Sequence, residues 1–338
     1  MNQLVDSFGR KITYLRVSIT DRCNYRCIYC KPAEQFKFIP HEEILRYEEM
    51  VEIIEKAVNL GITKVRITGG EPLVRKGIID FIKKLKRIEK LEDISLTTNG
   101  FFLAEYAEEL KAAGLNRVNI SLDSLQKNKY RKITRGGNLE RVLKGIDSAL
   151  KAGLLPIKIN TVLIRGINDD EVDDFLRLAI EKPLNIRFIE LMPSGEEVTD
   201  NCKGKFISVL EIKESLAKKY SFNPINTSSD NGPAKYYEIE RGKGTIGFIT
   251  ALSQHFCQSC NRIRLTSDGK IRPCLFSNQE IDLKKAIREV ENTENKQILR
   301  RKAIRDKIEM AVKLKPKGHK IKEGISNKIS FKMSRIGG

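Results

Sequence analysis

The stretch "YLRVSITDRCNYRCIYC", residues 14–30, joins a short β-branched run to three cysteines, Cys23, Cys27 and Cys30, at gaps of three and two residues. The run has the composition of a strand. Metal sites that only hold a fold together are usually closed by four protein ligands. Three thiols directly after a strand leave one coordination position for something other than the protein.

Working outward, the same strand pattern returns five times. "KVRITGG", "DISLTTNG", "RVNISLDS", "PIKINTVL" and "NIRFIELMP" alternate with helical patterns such as "EEILRYEEMVEIIEKAVNLG", "LAEYAEELKAAG" and "LERVLKGIDSALKAG". Three of the helical patterns finish in Gly61, Gly114 and Gly153, the residue type that closes a helix C-terminus without strain. Strand, helix and parallel strand in succession predict an α/β chain built as an incomplete six-unit (βα) TIM-like barrel. A complete barrel of that kind needs eight units, so six strands would curl and leave a gap for another part of the chain to cover. The strands begin apolar and end in polar or ligand-binding residues: Thr20 and Asp21, Gly69 to Glu71, Thr97 to Asn99, Ser121 and Asp123, Asn160 and Thr161, Glu190 and Met192. In a parallel barrel these ends share one face, where sites are built. The cysteine triplet opens onto that face.

Composition sets the outer bounds. The 338 residues are 40% hydrophobic and 31% charged, which suits a globular chain with a well-charged surface. No apolar run approaches the roughly 18 residues that cross a bilayer. "MNQLVDSFGRK" carries no signal-peptide core, so a cytoplasmic setting without membrane contact is expected. Seven cysteines fall into two tight groups and isolated Cys202, which is read as a bystander. Clustered thiols in a chain without a secretion signal suggest metal or redox chemistry before disulfides. The net charge of +18 fits a solvated basic surface, a polyanionic ligand such as a nucleoside triphosphate, or nucleic acid.

The second group lies in "HFCQSCNRIRLTSDGKIRPCLFS", residues 255–277, with Cys257 and Cys260 two residues apart and Cys274 after a gap of thirteen. "SDGK" reads as a hairpin turn that would bring Cys274 back beside the first pair. By spacing alone both triplets suit either an iron–sulfur cube with one open iron or zinc, with His255 as a fourth ligand in the second case. Arg262 and Arg264 alternate along a strand, project from one face, and suit phosphate oxygens. Arg16, Arg66 and Lys158 each lie inside a barrel strand, where a cation is costly to bury without an anionic partner.

"CNYRCIYC" resembles the cysteine motif of radical S-adenosylmethionine enzymes, and "TGGEP" at residues 68–72 resembles the second signature of that superfamily. "GFITALSQHFC", "CNRIRLTSDGKIRPCLF", "ELMP" and the terminal "MSRIGG" narrow the resemblance to the GTP 3′,8-cyclase family of molybdenum cofactor biosynthesis, nearly end to end. The resemblance implies a barrel at residues 1–195. It also implies a C-terminal α+β extension at 196–338, which closes the barrel and carries the second iron–sulfur site and a catalytic Gly–Gly tail.

It further implies two 4Fe–4S clusters, on Cys23, Cys27 and Cys30 and on Cys257, Cys260 and Cys274. Tyr29, Gly70, Ser121 and Met192 would contact S-adenosylmethionine. Arg16, Arg66, Thr97, Lys158, Arg262, Ile263 and Arg264 would contact GTP, and Gly337 and Gly338 would take part in catalysis. In that family a deoxyadenosyl radical takes hydrogen from ribose C3′, and the carbon radical closes onto guanine C8. The implied partners are an electron donor of flavodoxin or ferredoxin type, a second copy of the chain in a homodimer, and the downstream cyclic pyranopterin monophosphate synthase.

The basic segment at residues 284–318 reads as a solvated helical cover with a break near Asn292 to Asn295, and "SFNPINTSSDNGPAKYY" (221–237) as a loop. No array of base-stacking aromatics accompanies the charge, and the chain has no Trp. Nucleic acid is therefore not expected as a partner. The competing enzyme is an RNA-modifying radical enzyme with the same first triplet. A zinc-containing nucleic-acid-binding module is the non-catalytic alternative.

Overall fold

Strand β1 (Tyr14–Ser18) has every side chain buried, the mark of a strand covered on both faces. In the computed structural model, which describes residues 3–30, 37–192, 204–225, 232–289, 295–319, 321 and 333–337, it is one of six strands with the predicted alternation. The others are β2 (Lys64–Thr68), β3 (Asp93–Thr98), β4 (Arg117–Ser121), β5 (Ile157–Leu163) and β6 (Leu184–Glu190). Between them lie α1 (Tyr47–Asn59), α2 (Ile78–Lys86), α3 (Leu103–Ala112), α4 (Lys127–Thr134), α5 (Leu139–Lys151) and, before β6, α6 (Val172–Glu181). The apolar stripes of α1, α2 and α5 enter one core with the strand residues. Helix α3 ends as its sequence predicts: Gly114 takes φ +104°, and the Leu115 amide reaches back to the Leu110 carbonyl at 3.0 Å. Helix α4, whose sequence "KNKYRKIT" is mostly polar, is an addition to the predicted set.

The C-terminal part does more than cover the gap. Strand β9 (Thr245–Ile249) adds to β6, and β10 (Arg262–Leu265) adds to β1, both in parallel. Eight parallel strands therefore run in the order β10-β1-β2-β3-β4-β5-β6-β9. Antiparallel partners extend both edges: β8 (Lys235–Ile239) and β7 (Phe222–Pro224) beyond β9, β11 (Lys270–Arg272) and β12 (Ile281–Asp282) beyond β10. The segment expected as a loop at 221–237 thus contains β7 and the start of β8, while 226–231 lie outside the described residues. The boundary expected between 195 and 196 falls among residues 193–203, also outside them, as does Cys202. Strands from both sides of that boundary share one sheet.

The charged segment is anchored on the barrel. Helix α7 (Val209–Ala217) is followed by α8 (Leu283–Arg288) and α9 (Lys296–Lys313), and residues 290–294 between the last two lie outside the described set. Arg288 grips Glu49 of α1 at 3.0 and 3.2 Å, and Arg300 grips Glu52 at 2.6 and 3.2 Å. Ile304 and Ile308 are buried beneath. No helix among the described residues is long and apolar enough to cross a membrane.

The chain from β9 to β10, residues 250–261, carries the second cysteine pair, and a buried side chain holds its first turn. Glu190, the last residue of β6, accepts the Leu252 and Ser253 amides at 2.7 and 3.0 Å and the Ser253 hydroxyl. Hydrogen bonds to a charged group contribute about 1.5–3 kcal/mol each. Glu190→Gln should therefore speed hydrogen exchange at Leu252 and Ser253 by roughly tenfold or more. Unchanged protection of those two amides would show that the loop is held elsewhere.

Candidate active site

Strand register builds the site. Arg16 of β1 lies opposite Arg264 of β10 on one side and opposite Arg66 of β2 on the other. Residues in register project from the same face of a sheet, so three guanidinium groups stand in a row across three adjacent strands. All three are buried, as are Lys158 of β5 and Arg187 of β6. Among the described residues no carboxylate pairs with Arg16, Arg66, Arg187, Arg262 or Arg264, and the Nε atoms of Arg16, Arg66 and Arg187 have no hydrogen-bond partner. Burial, then the charges of Arg264 and Arg66, holds Arg16 well below its usual range. Burial brings Arg66 to about 10. Burial, then Arg262, brings Arg264 to about 9. The Thr97 hydroxyl and the Asn160 amide oxygen are also buried without partners. This is a donor-rich cradle whose charge the protein does not neutralise, and it fits a polyanion.

One cavity joins this row to the second cysteine group. Its walls include Arg16, Arg66, Arg187, Arg262, Arg264 and Met192, together with Cys257, Cys260 and Cys274. The hairpin forms as predicted, with Arg264 opposite Arg272 and Gly269 in the turn at φ +82°, and it returns Cys274 to the first pair. Burial pushes the Cys260 thiol up, but Arg262 and Lys315 outweigh it and bring it to about 6. Arg262 lies over the Phe256 ring at 5.1 Å, while Ile263, pointing the other way, is in the core. His255, Cys257 and His319 bring their ligand atoms within 4.8 Å of one another, so the histidine foreseen for a zinc site is close by. Burial, then His255, lowers His319 to about 4.

The first triplet sits at the ends of β1 and β2. These two ends touch through backbone: the Gly70 amide donates to the Thr20 carbonyl at 2.7 Å and the Glu71 amide to Arg22 at 2.8 Å. A Cβ on Gly70 would overlap the Arg22 carbonyl, so only glycine permits the approach. The Cys30 amide donates to the Cys27 carbonyl at 2.9 Å, and Asn99 Nδ2 stands 3.9 Å from Cys23 Sγ. Burial pushes the Cys27 thiol well up, followed by Asp123 and the two other cysteines. These causes favour the protonated thiol, so three thiolates could share this site only around a cationic centre, for which an iron–sulfur cube is suited. The Tyr29 hydroxyl donates to Asp123 at 2.6 Å, and burial raises that carboxyl to about 6. Ser121 ends β4, half-buried, on the same face.

Gly337 links the two regions. Its carbonyl accepts from the Arg264 guanidinium, it takes φ +74°, and a Cβ on it would overlap the Thr68 methyl at the end of β2. Gly338 lies outside the described residues.

Several polar strand ends are spent on the scaffold instead of facing a ligand. Asp21 accepts the Ile39 amide at 2.6 Å, Thr161 donates to the Leu122 carbonyl at 2.8 Å, and Glu190 holds the cysteine loop. Glu71 accepts the Thr98 hydroxyl at 2.7 Å and the Asn99 and Leu73 amides at 2.7 and 3.1 Å. Conversely, Arg187 and Lys315 were not among the expected site residues. Arg187 was readable as another basic residue inside a strand, by the argument that marked Arg16 and Arg66; Lys315 carried no such signal.

Comparison with known proteins adds three findings. A family model described as Radical SAM superfamily matches residues 17–179, and one described as Molybdenum Cofactor Synthesis C matches 184–321. The chain is 50% identical to a GTP 3′,8-cyclase of Petrotoga mobilis over 94% of each chain, and 48% identical to that of Alkaliphilus oremlandii over 98% of this chain and 99% of the relative. Among solved structures, Streptococcus suis SuiB bound to S-adenosylmethionine matches with a TM-score of 0.57 at 16% identity, covering 87% of this chain and 69% of that one. That likeness concerns the fold alone.

The buried Glu71 gives a pH test. Burial raises its carboxyl from 4.5 to about 7 despite the three donors it accepts. The folded chain therefore keeps a proton that the unfolded chain loses, and stability falls as pH rises between these values. The shift corresponds to about 3 kcal/mol. Parent protein should lose that much relative to Glu71→Gln between pH 4.5 and pH 7.5 in denaturant titrations. Parallel pH curves for the two proteins would contradict it.

Proposed function

The chain belongs to the GTP 3′,8-cyclase family, radical S-adenosylmethionine enzymes of molybdenum cofactor biosynthesis, and we propose how its residues divide that reaction. The enzyme cyclises GTP to (8S)-3′,8-cyclo-7,8-dihydroguanosine 5′-triphosphate, using iron–sulfur and S-adenosylmethionine chemistry. Cys23, Cys27 and Cys30 hold the first 4Fe–4S cluster and Cys257, Cys260 and Cys274 the second. Tyr29, Gly70, Ser121 and Met192 bind S-adenosylmethionine. Arg16, Arg66, Thr97, Lys158, Arg262, Ile263 and Arg264 bind GTP, and Arg187 joins them. When bound, the first cluster and S-adenosylmethionine supply the radical that takes hydrogen from ribose C3′.

The observation that carries this assignment is the unneutralised row Arg264–Arg16–Arg66 facing the second cysteine site across one cavity. A triphosphate brings the missing negative charge, and guanidinium groups hold it in fixed, forked geometry. Bound in this cavity, GTP is kept from water and its ribose C3′ is held close to guanine C8, which is most of what a ring closure needs from a protein. Gly337 accepts from Arg264 and stands where a side chain would collide with Thr68, and the catalytic role of Gly337 and Gly338 rests on the family. A flavodoxin- or ferredoxin-type donor, a homodimer, a cytoplasmic setting and delivery to cyclic pyranopterin monophosphate synthase belong to the same reading and rest on the family.

Anaerobic reconstitution should give a brown protein with about eight irons per chain. Incubation with GTP, S-adenosylmethionine and a reductant should consume GTP and release 5′-deoxyadenosine. Cofactor cleavage indifferent to GTP but stimulated by transfer RNA would favour an RNA-modifying enzyme, and a colourless zinc protein would favour a binding module.

Arg16 offers a test with two opposed readouts. Arg16→Met removes a buried charge that repels Arg264 and Arg66, so the substrate-free protein should melt at a higher temperature. The same change should weaken GTP binding by roughly 10- to 100-fold, the loss of one or two charge-assisted hydrogen bonds. Loss of affinity together with loss of stability would mean that Arg16 is structural.

A further inference from the structure

The segment "KPKGH", residues 315–319, packs on the second cysteine site through Lys315, Gly318 and His319. Lys315 is buried, and its ammonium donates to Cys260 Sγ at 3.4 Å, to the Arg262 carbonyl at 2.7 Å and to the Pro273 carbonyl at 3.0 Å. Those acceptors are a sulfur of the triplet, the residue two after it, and the residue just before Cys274. Gly318 leaves room for only van der Waals contact with Cys257, whose sulfur would stand 3.7 Å from an added Cβ. Arg10 clamps the segment from the N-terminal side. It donates to the Cys257 carbonyl at 2.6 Å, to Pro316 at 2.6 Å and to Lys317 at 3.1 Å, and Asp6 holds it in turn at 2.6 Å.

Lys315 lines the same cavity as the arginines, yet its situation differs from theirs. An ammonium has three donors, and here all three are taken by protein acceptors around the cysteines. It has nothing left for a phosphate, whereas the Nε atoms of Arg16, Arg66 and Arg187 are unspent.

We propose that Lys315 is a positioning residue for the second cluster: it fastens the Cys260 and Cys274 loops together and favours the cluster's reduced state. This rests on the two-cluster reading above. Three thiolates around a 4Fe–4S core of charge 2+ carry a net charge of −1. Uptake of one electron, from a flavodoxin- or ferredoxin-type donor or from dithionite in vitro, takes the core to 1+ and the whole to −2. A fixed cation on a ligand sulfur stabilises the more negative state, and hydrogen bonds to the sulfurs act in the same direction on the potential. Arg262 also faces Cys260, but its charge is shared with the substrate. Lys315 acts whether or not GTP is bound.

The test uses anaerobically reconstituted full-length protein and two variants, Lys315→Met and Lys315→Arg. Iron per chain is counted, and the clusters are followed by electron paramagnetic resonance through a dithionite potentiometric titration. In the parent, two midpoints and about eight irons are expected. In Lys315→Met one midpoint should fall by about tenfold in the reduction equilibrium, about 59 mV for one electron, while the other stays fixed. Lys315→Arg, which keeps the charge, should stay within twofold of the parent. Selective loss of four irons in Lys315→Met with full retention in Lys315→Arg would also support a charge that holds the cluster. Eight irons with both midpoints unmoved in Lys315→Met would overturn the proposal, as would equal iron loss in both variants, which marks a purely steric role. A parent protein with only four irons would sink the two-cluster reading itself.

Discussion

Three guanidinium groups side by side on neighbouring parallel strands are the constraint around which this molecule is organised. Register places Arg264, Arg16 and Arg66 side by side on three adjacent strands, where their like charges repel in a buried setting. The protein offers them no carboxylate among its described residues. A fold tolerates such an arrangement when its other contacts over-determine it, and strands β1, β2 and β10 do so through a continuous apolar core on their opposite face. The cost of the row is recovered when a polyanion arrives, so binding energy and fold are linked through the same side chains.

That row exists only because the two ends of the chain meet. Arg16 and Arg66 come from the first quarter of the sequence and Arg264 from the last, and they become neighbours when β10 adds in parallel to β1. The same addition sets Cys257 and Cys260 just before the start of β10, while β9 extends the parallel set on the other side, beyond β6. Three polar clamps fix the connection: Glu190 on the loop after β9, Arg10 with Asp6 on the Cys257 carbonyl, and Lys315 between Cys260 and Pro273. Each joins segments far apart in sequence, and each is charged and buried. Specific hydrogen bonds thus tie the site to the barrel, as suits a loop that must keep three sulfurs in one geometry.

Period and composition made much of this legible. The six strands, the helix-terminating glycines, both cysteine groups and the Ser267–Gly269 turn depend on local rules, and local rules can be read from a single sequence. Pairings across long separations cannot. Nothing in "TIGFI" or "RIRL" says that one lies beside β6 and the other beside β1, so the extension was foreseen as a cover when it is also part of the sheet. Helix α4 was hidden because half its length is Lys and Arg, which masks the apolar positions Tyr130 and Ile133. The polar strand ends were recognisable as polar, but their direction was not: Asp21, Thr161 and Glu190 turn toward backbone, Thr97 toward the interior without a partner.

The difference between a scaffold cation and a ligand cation is thus a matter of where its donors go, and burial alone does not show it. Arg272, Arg300 and Lys315 are as buried as Arg16 or Arg66. Arg272 meets Glu280 at 2.7 Å, Arg300 meets Glu52, and Lys315 meets three acceptors around the cysteines. A buried charge satisfied in this way is committed, and removing its partner would strand it at a cost of several kcal/mol. A buried charge with idle donors is tolerable only next to something the protein does not supply. Applied across the barrel, an idle Nε together with the lack of a carboxylate partner separates Arg16, Arg66 and Arg187 from Arg272, Arg300 and Lys315 without reference to any relative. The residues it picks out all stand around one cavity, which the second cysteine group also lines.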